Sequence, residues 1–159
     1  MRDVPHLSAP GFISIYADGA FNDVSSTITG GLVLRVRTST PDYHGFRAVF
    51  AAGATSPSYS CRHGGSVPYS NGCYKAKFEV PPGEEFVDVN VPFSFFSDHW
   101  DDHTGDQTIT CADDPTVCPS EEDLEGIKRI ELMAEGWAGD VHIEVESIIA
   151  YATDSVLII

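Results

Sequence analysis

Residues 73–96 read C-Y-K-A-K-F-E-V-P-P-G-E-E-F-V-D-V-N-V-P-F-S-F-F. Tyr74, Ala76, Phe78 and Val80 alternate with Lys75, Lys77 and Glu79, the period of a strand with one buried face and one facing water. Pro81-Pro82-Gly83 is turn chemistry, and F-V-D-V-N-V at 86–91 starts a second alternation. The stretch predicts a hairpin of two antiparallel strands. It runs into V-P-F-S-F-F, whose Phe93, Phe95 and Phe96 are expected in the core.

Outward from this stretch the pattern repeats. Residues 11–17 (G-F-I-S-I-Y-A) and 31–37 (G-L-V-L-R-V-R) read as strands. Residues 44–52 give another, with Phe46, Ala48 and Phe50 on one face and Arg47 and Val49 on the other. Strands at 127–135 and 140–151 close the chain around Gly136-Trp137-Ala138-Gly139, where Trp137 is expected to cap the core at a hairpin. In the last strand Val141, Ile143, Val145 and Ser147 are expected on one face, with His142, Glu144 and Glu146 pointing away. Between the two groups, 121–126 reads as a single helical turn capped by Ser120. Short strands with regular turn signals predict an all-β sandwich or barrel. A chain of 159 residues suits one domain, 1–159, burying roughly 70% of the surface its unfolded form exposes.

Taken in order, several segments resemble one family. They are V-P-H-L-S-A-P-G-F-I at 4–13, G-L-V-L-R-V-R at 31–37 and G-F-R-A-V-F-A at 45–51. Y-K-A-K-F at 74–78, V-P-F-S-F-F at 91–96 and G-D-V-H-I-E-V-E-S-I-I-A at 139–150 complete the set. Together they are similar to the NADH:ubiquinone oxidoreductase complex I intermediate-associated protein 30 family. That resemblance implies a galactose-binding-like β-sandwich, or jelly roll, of antiparallel strands. It implies an assembly factor that binds protein partners, in an organelle (mitochondrion or plastid). The family pattern opens with a further strand region containing a D-x-x-M-G-G-x-S-like segment. Nothing here matches it, and a sandwich lacking that N-terminal strand is expected to keep an open sheet edge.

Charge is lopsided. Residues 1–78 carry a net +3 and residues 79–159 a net −18, within a total of −15. Such a field repels phosphate backbones, so nucleic acid is not expected as a partner. No apolar run approaches a membrane span, so no membrane insertion is expected. The first residues, M-R-D-V-P-H, show no basic region followed by an apolar stretch, so no signal peptide is visible. Four cysteines admit three pairings. Local closure, Cys61 with Cys73 and Cys111 with Cys118, is expected because each bridge pins a loop with little apolar content. Free thiols and a zinc site are the alternatives, the latter opposed by the absence of a C-x-x-C knuckle. Disulfides would indicate an oxidising lumen or the cell exterior.

Residues 97–106 (S-D-H-W-D-D-H-T-G-D) hold two histidines and four aspartates. Asp98, Asp101, Asp102 and Asp106 suit calcium, and His99 with His103 would suit zinc. Their spacing lacks the EF-hand order, and a flexible loop is a costly place to preorganise ligands. A solvated acidic loop is the expectation and no cofactor is expected, with a structural calcium as the alternative. No catalytic constellation is visible. Ser60, Ser66 and Ser70 near His63 lack the G-x-S-x-G elbow, Gly64-Gly65 lacks a phosphate-loop sequel, and adjacent acids such as Asp101/Asp102 do not face each other across a substrate. The chain therefore reads as a non-enzymatic binding domain. A protein partner comes first; the alternative is a carbohydrate-binding module using loop aromatics, with Tyr59, Tyr69, Trp100 and Trp137 the main candidates and Tyr43 a further one.

Overall fold

The computed structural model describes residues 1–4, 9–52, 73–101 and 104–153. A short ribbon pairs β1 (Asp3–Val4) with β2 (Ala9–Pro10). The remaining strands are β3 (Ile13–Asp18), β4 (Gly31–Thr38), β5 (Phe46–Ala51), β6 (Cys73–Lys77), β7 (Gly83–Pro92), β8 (Arg129–Ala134) and β9 (Glu144–Tyr151). They form two antiparallel sheets, one ordered β3-β8-β5-β6 and the other β7-β4-β9. The fold is an all-β sandwich.

Register shows how the sequence pattern builds its core. Phe46, Ala48 and Phe50 stand opposite Ala134, Leu132 and Ile130, while Leu32 and Leu34 stand opposite Val91 and Val89 on one side and Ala150 and Ile148 on the other. These two inner faces meet in one cluster. Phe50 lies at its centre, 5.2 Å from Tyr74, 6.1 Å from Phe93 and 5.2 Å from Phe96 by ring centroids. Each fully buried aromatic or aliphatic chain of this kind is worth about 1.5–3 kcal/mol relative to an exposed one.

The predicted hairpins are not hairpins. β6 belongs to the four-stranded sheet and β7 to the three-stranded one, so Pro81-Pro82 carries the chain across the sandwich as an arch. Phe78 and Val80, both 5% exposed, fill the space between the layers. The free edge of β6 is taken by Ser97, which exchanges backbone hydrogen bonds with Lys75. β8 and β9 are likewise split between sheets. The turn residues were read correctly as turns; which layer the next strand joins is decided by where both inner faces find cover.

Three further expectations are corrected. In 91–96, a 3-10 turn (Phe93–Phe95) sends Phe93 and Phe96 inward, while Phe95 stands 58% exposed. In β9 the pairing Arg35↔Ser147 is followed by Val36↔Val145, leaving Glu146 as an extra residue. This bulge moves Ser147 to the outer face and brings Ile148 and Ala150 inward behind Val145. Finally, Lys75, expected on the water-facing side of its strand, is 2% exposed, and β5 is buried along its whole length.

The helical turn is present as α1 (Glu121–Glu125). The Ser120 side chain accepts from the Asp123 N–H, and Asp123 accepts from the Ser120 backbone in return. Asp123 also accepts from the Tyr74 hydroxyl at 2.8 Å, which ties the cap to β6. Burial, together with that bond, raises the Tyr74 phenol far above its ordinary value.

Candidate functional site

Burial of both faces of β5 has a specific cause. Residues 97–101 and 104–107, all but the last within the stretch 97–106 expected as a solvated acidic loop, lie as a roof on the outer face of the four-stranded sheet. Ser97, Asp98 and Trp100 are 0, 7 and 3% exposed. Trp100 packs with Val49, Ala51, Cys73 and Met133. It therefore offers no ring face to a sugar, and its candidacy as a binding platform falls with its burial.

Beneath the roof lies a layer of charge. Lys75 Nζ donates to Glu135 Oε1 at 2.5 Å and stands 4.8 Å from the Trp100 ring centroid. Arg47 donates to the Gly105 carbonyl at 3.2 Å and to Asp106 Oδ1 at 2.8 Å. Burial pulls the Lys75 ammonium below the ordinary lysine value, opposed by the adjacent Glu135 carboxylate. Two glycines let the roof seat. Gly105 has φ +70° with Glu135 where a Cβ would stand, and Gly136 has φ +69° with the Thr104 carbonyl 2.1 Å from that position. Arg129, at the far end of the same face, grips Asp18 through two bonds of 2.6 and 2.9 Å and stacks on Tyr16 at 4.0 Å. The buried Tyr43 hydroxyl finds no hydrogen-bond partner among the described residues, and burial pushes its pKa up to about 12.

The aspartates proposed for calcium are dispersed among other tasks. Asp98 is hydrogen-bonded to His99 at 2.6 Å, Asp101 accepts from the Thr104 N–H at 2.9 Å, and Asp106 holds Arg47. Asp102 and His103 lie outside the described residues. Among the described residues no three His, Cys, Asp or Glu side chains gather as metal ligands would. Cys111 and Cys118 are bridged with Cα atoms 5.3 Å apart. Cys73 is also disulfide-bonded; Cys61, its expected partner, lies outside the described residues, as do Tyr59 and Tyr69. Trp137 is 48% exposed and meets His44 edge-on at 5.3 Å. Instead of capping the core, it stands at the arch between β8 and β9. The residues that follow it, 138–140, line a polar depression with Thr40 and Asp42. Of the candidate rings among the described residues, Tyr43 lines this depression, and it is 3% exposed.

The most distinctive surface is one the sequence patterns do not mark. Ile13, Ile15 and Ala17 pair with Ala134, Leu132 and Ile130 and so share the inner face of their sheet. Yet Ile13 and Ile15 are 54 and 56% exposed. Among the described residues the opposing layer has three strands against four and stops at β9, so the inner face of β3 overhangs with no described strand above it. The result is a cleft of about 380 Å³ between β3 and β9, floored by Ile130 and Leu132 and walled by Ile15, Phe21, Val145 and Ile148. It continues past Ile148 to a second hollow at Asp23 and Thr27. The opposite side of the sandwich is closed by Phe78, Val80 and Phe96, each 5% exposed or less. An apolar groove beside an uncovered strand can hold apolar groups and offer main-chain hydrogen bonds.

No family model matches the chain, and no curated protein or solved structure matches it. Among the described residues no helix is long and apolar enough to cross a membrane.

Proposed function

We propose that this domain is a non-enzymatic binding module whose partner is another protein, acting in the manner of an assembly factor. The observation that carries this reading is the uncovered apolar cleft between β3 and β9. Contiguous apolar surface left open on a folded domain marks an interaction site far more often than scattered exposed side chains do. The buried charges Arg47, Lys75 and Glu135 are engaged with one another or with the roof segment, which supports a scaffolding role for them over a catalytic one. The resemblance to the complex I intermediate-associated family points the same way. A second reading, glycan binding, is favoured by Trp137 alone, an exposed ring one residue before Ala138, which lines a polar depression with Asp42 and Asp140.

Panning a random-peptide display library on the chain, beside a glycan array, separates the two. Ile15→Asp places a charge in the cleft at a half-exposed position and is expected to leave the melting temperature unchanged. Peptides that enrich on the parent and not on Ile15→Asp support the protein-partner reading. A glycan hit abolished by Trp137→Ala, with no peptide enrichment, overturns it.

A further inference from the structure

Resting on that reading, we propose that the cleft takes an extended apolar strand of another polypeptide, flanked by lysine or arginine, which pairs with the free edge of β9. Geometry supplies the first argument. β9 pairs with β4 on one side, and among the described residues no strand pairs with the other. The empty position beside β9 lies over Ile13 and Ile15, where one added strand at the usual spacing of about 4.8 Å would cover the overhang.

The edge itself supplies the second. Exposed edges are commonly blunted by charge, proline or a bulge. β9 has such guards only in its first half, where Glu144 and Glu146 stand and Glu146 forms the bulge. From Ser147 to Tyr151 the edge reads S-I-I-A-Y, without charge, proline or further register shift. An unguarded run of this kind is a template for strand addition, with main-chain bonds giving affinity and pockets for alternate side chains giving selectivity. A cleft of about 380 Å³ is near the lower end of ligand pockets, roughly 300–1,000 Å³. It suits the inward side chains of a short strand and not a folded domain.

Charge decides the flank. Among the described residues Asp23 is the one charged residue along the cleft and its continuation, and its carboxylate accepts from the Ser25 N–H at 2.8 Å. With a net charge of −15 behind it, this end favours a cationic neighbour and disfavours an anionic amphiphile such as a fatty acid.

The test uses the 159-residue chain and three probes: the peptide acetyl-K-V-T-I-T-V-amide, its version with glutamate in place of the lysine, and dodecanoate. Binding is followed by fluorescence anisotropy of labelled peptide and by amide hydrogen exchange. The proposal expects saturable binding of the lysine peptide. The glutamate peptide should bind roughly thirtyfold more weakly, the effect of exchanging an attraction of about 1 kcal/mol for a repulsion of the same size. It also expects new protection of amides within 147–151, and loss of binding in Ile15→Asp. Peptide binding without protection of those amides overturns strand addition while leaving the protein-partner reading in place. Binding of dodecanoate with no peptide binding overturns both. Self-association that protects the same amides without peptide makes a second copy the occupant and overturns the proposal.

Discussion

Replacing Lys75 with methionine tests whether the charge layer under the roof is as dry as the structure has it. The Lys75 and Glu135 side chains are 2 and 8% exposed and their charged atoms lie 2.5 Å apart. Methionine keeps most of the volume and removes the ammonium, which leaves the Glu135 carboxylate buried opposite a thioether. Breaking a buried pair in this way costs about 3–5 kcal/mol, mostly the desolvation of the charge left behind. Loss of the cation over Trp100 adds about 0.5–2 kcal/mol. Against a domain stability of roughly 5–15 kcal/mol the expected damage is severe. With a urea slope of about 2 kcal/mol per molar, the unfolding midpoint should fall by about 2 M. The double variant Lys75→Met/Glu135→Leu removes both charges, and it should recover most of the loss, since replacing a whole buried pair with apolar groups is often close to neutral. Urea unfolding followed by the emission of Trp100, in a Trp137→Phe background, reads both. A single variant that loses under about 1 kcal/mol, the scale of a solvent-exposed pair, would refute the reasoning. So would a double variant no better than the single one.

Three other outcomes can be checked. Gly136→Ala sets a Cβ against the Thr104 carbonyl at a left-handed backbone position; thermal unfolding should show a loss of at least about 1–2 kcal/mol, the cost of that conformation before the clash is counted. Cys111→Ser/Cys118→Ser opens a short loop, and calorimetry should show about 2–3 kcal/mol less stability on the chain-entropy account. The third concerns acid. Hydrogen bonds from Thr116 hold the Asp114 carboxyl below its ordinary value of 3.8, and those from Arg37 hold Glu144 below 4.5. A folded-state pKa lowered in this way contributes stability in full above the ordinary value, and the contribution is lost as pH falls through the lowered one. The gap in melting temperature between the parent and Asp114→Asn or Glu144→Gln should therefore be widest above pH 5 and close below the ordinary carboxylate range; a gap that widens on acidification would contradict it.

Much of the sandwich is legible in the sequence because it depends on local chemistry. Alternation places Phe46, Ala48 and Phe50 together, Ser120 and Asp123 announce the helical turn, and the spacing of Cys111 and Cys118 suits the bridge they form. What is not legible depends on distant chain. Pro81-Pro82-Gly83 looks the same whether β7 lies beside β6 or across the core from it. Lys75 reads as water-facing because nothing near it in sequence reveals that Trp100 will cover it, and nothing near Arg47 announces its bonds to Gly105 and Asp106. The bulge at Glu146 carries no residue signature, so Ser147 is assigned to the wrong face. Of the candidate site, the sequence marks only the strand: I-S-I at 13–15 has the pattern of any core strand. Its exposure follows from a strand count in the opposite layer.

The arches carry a kinetic consequence. β8 is the strand that joins β3 to β5, and β9 is the outer partner of β4. A chain emerging from the ribosome therefore cannot complete the four-stranded sheet before Ala134, or the three-stranded sheet before Tyr151, has been made. Neither neighbouring pair, β6 with β7 or β8 with β9, can zip up locally as a nucleus. Pairings of such long sequence separation place folding toward the slow end, milliseconds to seconds, with Leu32, Leu34, Phe46 and Phe50 uncovered in the meantime. For this protein the demand on holding chaperones is greatest before its last two strands arrive.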